Sequence, residues 1–306
     1  MAPPVFSDMN LVWSSSTTLL DMIEIAIELG FERIAVNKFI SSLEGGKGKK
    51  HNEKFAVSQP SDILLNEESL KSLTLKGKKF EQLSRITAVI KDASNTHRLG
   101  SPDIQSYDII AVQPTNEKTF QLACSTLDID LISLNFTESL GFSLRRQLIN
   151  LAASRGIFFE IVYSPALINN QAKRYIIANA MSLINAAGGK NIIISSSAEK
   201  PIDLRSPMDV MNLARLFGLN HFQAKSAISI NCRAVLKHAE TRKTCKSVVS
   251  VKTITPKEAW ILKLQSKEQQ QVGSSSSQDE DSEDDDDDDD DSSAQDEPKL
   301  KKKKLV

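Results

Sequence analysis

Residues 143–162 read SLRRQLINLAASRGIFFEIV, and this stretch decides the fold. Ser143–Ser154 has the patterning of an amphipathic helix, Gly156 punctuates its end, and Ile157–Val162 is a near-continuous apolar run. Such a run is what a parallel strand covered on both faces looks like. The same unit follows at once: a helix over Asn169–Ala186, Gly188 at its end, and a strand at Asn191–Ser195. Working back towards the N-terminus, strands are expected at Val5–Leu11, Arg33–Asn37, Leu83–Ile90, Tyr107–Val112 and Asp130–Leu134. Helices fall between them at Thr17–Leu29 and Asn116–Ser125. The first carries Leu19, Leu20, Ile23, Ala26 and Ile27 on one face and stops at Gly30, where a left-handed cap costs least. Beyond the last strand come a helix at Pro207–Phe217 and a longer helical stretch at Asn220–Lys243. Asn231 is a second possible N-cap, so that stretch is read as two helices with a kink. Repeated β-α units over about 250 residues favour a TIM-like (β/α) barrel of seven or eight strands. A doubly wound sheet is the alternative.

The chain has 306 residues, 40% of them hydrophobic, and a formal net charge of −1. The near-neutral total hides two opposed parts. From Asp279 to Val306 five lysines stand against fourteen acidic residues, a net −9, which leaves +8 for residues 1–278. A body at +8 attracts polyanions in a salt-sensitive way. Residues 1–255 are read as the barrel domain, with a lysine- and glycine-rich loop (GGKGKK) at about 41–80. Residues 256–306 are read as a disordered tail, acidic over 279–297 and basic over 299–304, since almost no apolar residues are there to offset ordering entropy. The cluster Lys299, Lys301, Lys302, Lys303 and Lys304 behind Pro298 reads as a nuclear localisation signal. Cys124, Cys232 and Cys245 stand far apart without a CxxC pair, which fits a reducing compartment. No window is apolar enough to suggest a membrane span, and no signal peptide is expected.

Catalytic patterns are sparse. There is no G-x-S-x-G elbow. Gly188-Gly189-Lys190 lacks the upstream glycine of a phosphate loop, Ile184 standing there, and it precedes a strand instead of following one. Of four histidines (His51, His97, His221, His238) none sits at a predicted strand end or shares H-x-H or HExxH spacing; His221 and His238 are expected on a surface or against a partner. Asp8, Asp128, Asp130 and Glu160 lie near strand ends and could hold Mg²⁺ in principle. However, Asp128 and Asp130 mark the stability face of a barrel, and Glu160, alternating within a strand, is expected to pair with a core arginine. Neither catalytic residues nor a metal site is assigned.

Arginines, lysines and hydroxyls in loops and helix starts are what remain: Arg174 with Tyr175, Ser195 with Ser196, Arg205, Asn231 with Arg233, and Arg242 with Lys243. Arginine forks and hydroxyls grip phosphate and 2′-hydroxyl oxygens. These nine are the candidate RNA- or partner-binding residues.

At these motifs the sequence resembles the thirty-kilodalton protein subunit of eukaryotic nuclear ribonuclease P and the related MRP ribonuclease. The resemblance is carried by LDIDLI (127–132), FEIVYSPA (159–166), Arg174-Tyr175, KNIIISSS (190–197), PMDVMNLARLFGL (207–219) and NCRAVLKHAETRK (231–243). It implies a barrel of the polymerase and histidinol phosphatase type, whose metal-binding members open with H-x-H. Asp8-Met9-Asn10 occupies that place here, so the scaffold looks stripped of its metal centre. The resemblance also implies a subunit without catalysis or cofactor of its own, in a particle whose RNA cleaves 5′ leaders from precursor tRNA with Mg²⁺. Implied partners are that catalytic RNA, precursor tRNA, a small RRM-like protein subunit and other protein subunits, with no membrane. A role in pre-rRNA processing within the MRP particle, and a nuclear, nucleolar location, are expected on the same ground. The alternative function is a free-standing metal-dependent phosphoesterase using Asp8 and Glu160.

Overall fold

The computed structural model describes residues 4–13, 15–41 and 80–244. Most of the expected basic loop (42–79), the acidic tail and the lysine cluster lie outside the described residues.

Seven parallel strands form among the described residues: β1 (Ser7–Val12), β2 (Arg33–Ile40), β3 (Glu81–Ile90), β4 (Ile109–Pro114), β5 (Leu131–Ser133), β6 (Phe158–Val162) and β7 (Ile192–Ser195). Their order in the sheet is their order in the chain. A doubly wound sheet would break that order at a switch point, so the barrel expectation holds and the alternative falls. The two edges meet at the C-terminal end of the strands. Val12 N donates to the Ala198 carbonyl at 3.1 Å, and Ser197 N donates to the Asn10 carbonyl at 2.8 Å. Closure is therefore made by the turn after β7 more than by a full ladder.

Helix α1 (Ser16–Leu29) starts where Ser15 accepts a hydrogen bond from Thr18 N and ends at Gly30 with φ +105°. Between β3 and β4 there is only a 3₁₀ turn and the short α2 (Pro102–Gln105). Then α3 (Glu117–Ser125), α4 (Arg146–Ser154), and α5 (Ser164–Ile168) with α6 (Asn170–Ala187) cover the outside. After β7 come α7 (Pro207–Leu216), α8 (His221–Ala227) and α9 (Ile230–Thr244).

A β-bulge in β1 sets the character of the interior. Asp8 pairs with Ile34 and Leu11 with Val36, so Met9 and Asn10 together oppose Ala35 and both turn inwards. The lower interior is apolar, with Met9, Ala35, Ile109, Leu131, Phe158 and Ile193 packed on Cys232 and Val235 of α9. The upper interior is polar. Helix α9 crosses the foot of the barrel: Asn231 reaches the Ile192 carbonyl, His238 reaches Asp130, and Arg242 reaches Asp108. The kink expected at Asn231 falls earlier. Ile228 and Ser229 break the helix, and Asn231 instead spends its amide on β7, 2.7 Å from the Ile192 carbonyl. Gly156 is required by its place, with φ +80° and a Cβ position only 2.8 Å from the His238 ring.

Candidate functional site

Barrel enzymes carry their chemistry at the C-terminal ends of the strands. Here that end is occupied by a closed polar network. Arg85 on β3 faces Glu160 on β6, and both side chains are fully buried. Its Nη1 and Nη2 each donate to one carboxylate oxygen at 2.5 Å. Nη1 also donates to the carbonyl of Met9 at 2.7 Å, and Nε donates to Thr87 Oγ1 at 3.2 Å. The chain of donors continues from Thr87 to Asn37, from Asn37 to Asn10, and from Asn10 back to Glu160 Oε1. Ser195 Oγ donates to that same oxygen at 2.5 Å. Burial alone would raise the Glu160 carboxyl, but the Arg85 guanidinium and these donors outweigh it and hold it below the usual range. The expected core arginine for Glu160 is thus Arg85, itself not singled out in the sequence. The signal was there: a glutamate inside an apolar strand demands a cation on another strand.

This donor set does not fit a metal centre. A guanidinium sits where a cation would have to sit, and Glu160 has both oxygens committed to it. Asp8 does not converge on Glu160 either; it pairs beside Ile34 and points to the outer side of the wall, where Asn10 N and Ser196 N donate to its Oδ1 at 3.1 Å each. Its Oδ2 is buried without a hydrogen-bond partner. Burial pushes the Asp8 carboxyl up to about 6, against the Ser196 hydrogen bonds that pull it down. The phosphoesterase alternative therefore loses both its carboxylates. Cavities at the mouth measure about 100 Å³, between Phe39, Ser133, Phe136 and Val162, and about 250 Å³ at its rim, between Gln113, Thr115, Asn135 and Phe142. Ligand pockets usually begin at about 300 Å³.

The nine candidate binding residues do not form one site. Arg174 and Tyr175 are exposed at the start of α6, towards the mouth. Arg205, also at that end, is half-buried; its Nη1 donates to the carbonyls of Ile202 and Leu204 at 2.7 Å each, and its backbone N donates to Tyr163 Oη. Ser195 and Ser196 are buried, not surface hydroxyls: the first serves Glu160, and the second donates to the Asn10 carbonyl at 3.0 Å. The other four stand on α9, at the opposite end. Arg233 is exposed and Asn231 is half-buried against β7. Arg242 is buried, correcting its expected surface place: it pairs with Asp130, donates to Gln105 Oε1 at 2.7 Å and reaches the carbonyls of Tyr107 and Asp108. Lys243 pairs with Asp108 at 2.7 Å.

Asp130 gathers most of this foot. It takes Arg242 on one side and His238 Nδ1 at 2.8 Å on the other, and its Oδ2 accepts from Ile110 N. His238 Nε2 lies 3.2 Å from the Arg155 carbonyl. The histidine expected on a surface is thus an internal clamp, and the Asp130 hydrogen bond raises its pKa despite partial burial. Asp130 keeps the stability role read from its position at a strand start.

Comparison with known proteins agrees with this architecture. A chain from the cryo-EM structure of archaeal ribonuclease P with mature tRNA superposes with a TM-score of 0.56 at 13% identity, covering 81% of this chain and 97% of that one. At that identity the match speaks for the fold. The Saccharomyces cerevisiae ribonuclease P/MRP protein subunit RPP1 is 31% identical over 224 residues, covering 70% of each chain. The mouse ribonuclease P protein subunit p30 is 39% identical over 258 residues, 83% of this chain and 93% of the mouse protein. The family model described as RNase P subunit p30 matches residues 5–244, from the first strand to the end of α9. This chain belongs to the RNase P subunit p30 family.

Proposed function

We propose that the chain serves as a protein subunit of ribonuclease P, supporting removal of 5′ leaders from precursor tRNA, and of the MRP particle in pre-rRNA processing. The observation that carries the scaffold reading is the Arg85–Glu160 pair: among the described residues, the carboxylate that could have held a metal inside the barrel has both oxygens committed to a buried guanidinium. Catalysis is assigned to the RNA subunit, and Mg²⁺ to that RNA's reaction. The chain contributes a rigid body that binds RNA and neighbouring subunits, among them a small RRM-like protein. The p30 family membership and the +8 charge of residues 1–278 support this reading. Action in the nucleus and nucleolus is part of the proposal, with Lys299 and Lys301 to Lys304 as the import signal.

Depletion of the protein from cells is the test. Precursor tRNAs with intact 5′ extensions should accumulate, while the purified chain alone cleaves no precursor. Normal 5′ ends after full depletion would overturn the assignment.

A further inference from the structure

Between Asp209 and Glu240 lie thirty residues without a single carboxylate. They build most of α7, the whole of α8 and the first two-thirds of α9, with α8 packed against both neighbours. Solvated helices ordinarily intermix the two signs, because opposite charges three or four positions apart stabilise them. Here Arg215, Lys225, Arg233 and Lys237 are all exposed, and none takes part in an ion pair among the described residues. Arg233 and Lys237 are four apart and share one face of α9. Lys190 is exposed beside them at the foot of β7; its neighbour Gly189 lies so close to α8 that a Cβ there would meet the Gln223 side chain.

Amid these cations stands Phe222, 71% exposed and three residues, hence one helical turn, from Lys225. A large aromatic left in water among unpaired cations is poorly explained as a solubilising surface. It matches the two needs of an unpaired RNA segment: spread cations for phosphates and a flat ring on which a base can stack. We infer that the face formed by α7, α8 and α9, at the foot of the barrel and away from its mouth, is an RNA-docking surface for unpaired nucleotides. Phe222 is its stacking platform and Lys190, Arg215, Lys225, Arg233 and Lys237 are its phosphate contacts. The inference rests on the ribonucleoprotein reading above and names the side of the subunit that turns to the RNA.

The full-length chain titrated with a fluorescein-labelled single-stranded RNA tests it. Each of Lys225→Gln, Arg233→Gln and Lys237→Gln should lower the slope of log affinity against log salt by about 0.7. Phe222→Ser should weaken binding about 5- to 150-fold with the slope unchanged, whereas Lys118→Gln, on α3, should change neither. Circular dichroism confirms that each variant folds. In the particle purified through the tagged full chain, ultraviolet crosslinks should map to peptides within residues 215–237. Unchanged slopes and affinities, with crosslinks elsewhere on the chain, would overturn the inference while leaving the subunit reading intact. Variants that bind RNA normally but lose a protein subunit from the particle would overturn it too, making this face a protein interface. A wild-type particle devoid of RNA would instead sink the ribonucleoprotein reading itself.

Discussion

Arg85 and Glu160, 75 residues apart in the chain, meet inside the barrel through two parallel 2.5 Å hydrogen bonds, with no solvent reaching either side chain. Removing one partner leaves the other charged and alone. Glu160→Gln or Arg85→Met should each cost about 3–5 kcal/mol of unfolding free energy, whereas the paired change Arg85→Met with Glu160→Leu should cost much less than their sum. Urea denaturation of the four proteins measures this; additive losses would show that the two residues are not coupled. Because the folded Glu160 is held below its unfolded value, its stabilisation is present above about pH 4.3 and disappears as pH falls through the folded value.

Asp8 behaves in the opposite sense. Burial raises its carboxyl to about 6, above the ordinary 3.8, so the folded state holds the proton more tightly than the unfolded one. The contribution is fully present below about pH 4 and is lost as pH rises through about 6, worth up to ~3 kcal/mol. Asp8→Asn should flatten the stability of the chain between pH 4 and 7. A melting curve series that keeps the same pH slope in the variant would refute this.

His238 joins α9 to the foot of the barrel through Asp130. Its pKa is raised, chiefly by that hydrogen bond, so its stabilisation is full below about pH 6.5 and fades as pH climbs through the folded value. His238→Phe should remove this dependence. Gly156→Ala should disturb the same contact, since its Cβ would lie 2.8 Å from the ring at φ +80°, and destabilise by about 1–3 kcal/mol. Hydrogen exchange should localise the loosening to α9; uniform loosening of the whole barrel would contradict the clamp.

Arg174 and Arg242, alike in the sequence, should separate in experiment. Arg242→Gln breaks a buried pair with Asp130 and should lower thermal stability strongly, leaving the salt slope of RNA binding unchanged. Arg174 is exposed, so Arg174→Gln should leave the melting temperature unchanged. Equal melting temperatures for the two variants would count against the placement of Arg242.

Much of the fold was legible because burial on both faces of a parallel sheet writes itself as apolar runs, and the seven strands of the described residues lie within a few residues of their expected places. Element ends were less so. An asparagine at 231 looks like a helix cap, yet its amide is spent on the Ile192 carbonyl, a contact 39 residues away. The candidate residues suffered from the same blindness to distance. Arginine in a loop or at a helix end looks like an RNA ligand whether it faces solvent, as Arg233 does, or an aspartate 112 residues upstream, as Arg242 does. The missing carboxylates between Asp209 and Glu240 were readable from sequence, but their meaning depended on knowing that three helices carry them side by side.

The closure of the barrel also bears on how the chain is made. Asp8 waits for Ser196, 188 residues downstream, before its side of β1 is covered. At ordinary translation speeds that wait is roughly 10–40 s. For that interval β1 is an open edge on a nascent chain, able to capture other strands. Ser7, Asp8 and Asn10 leave that edge polar, a poorer template for such capture than an all-apolar strand would be.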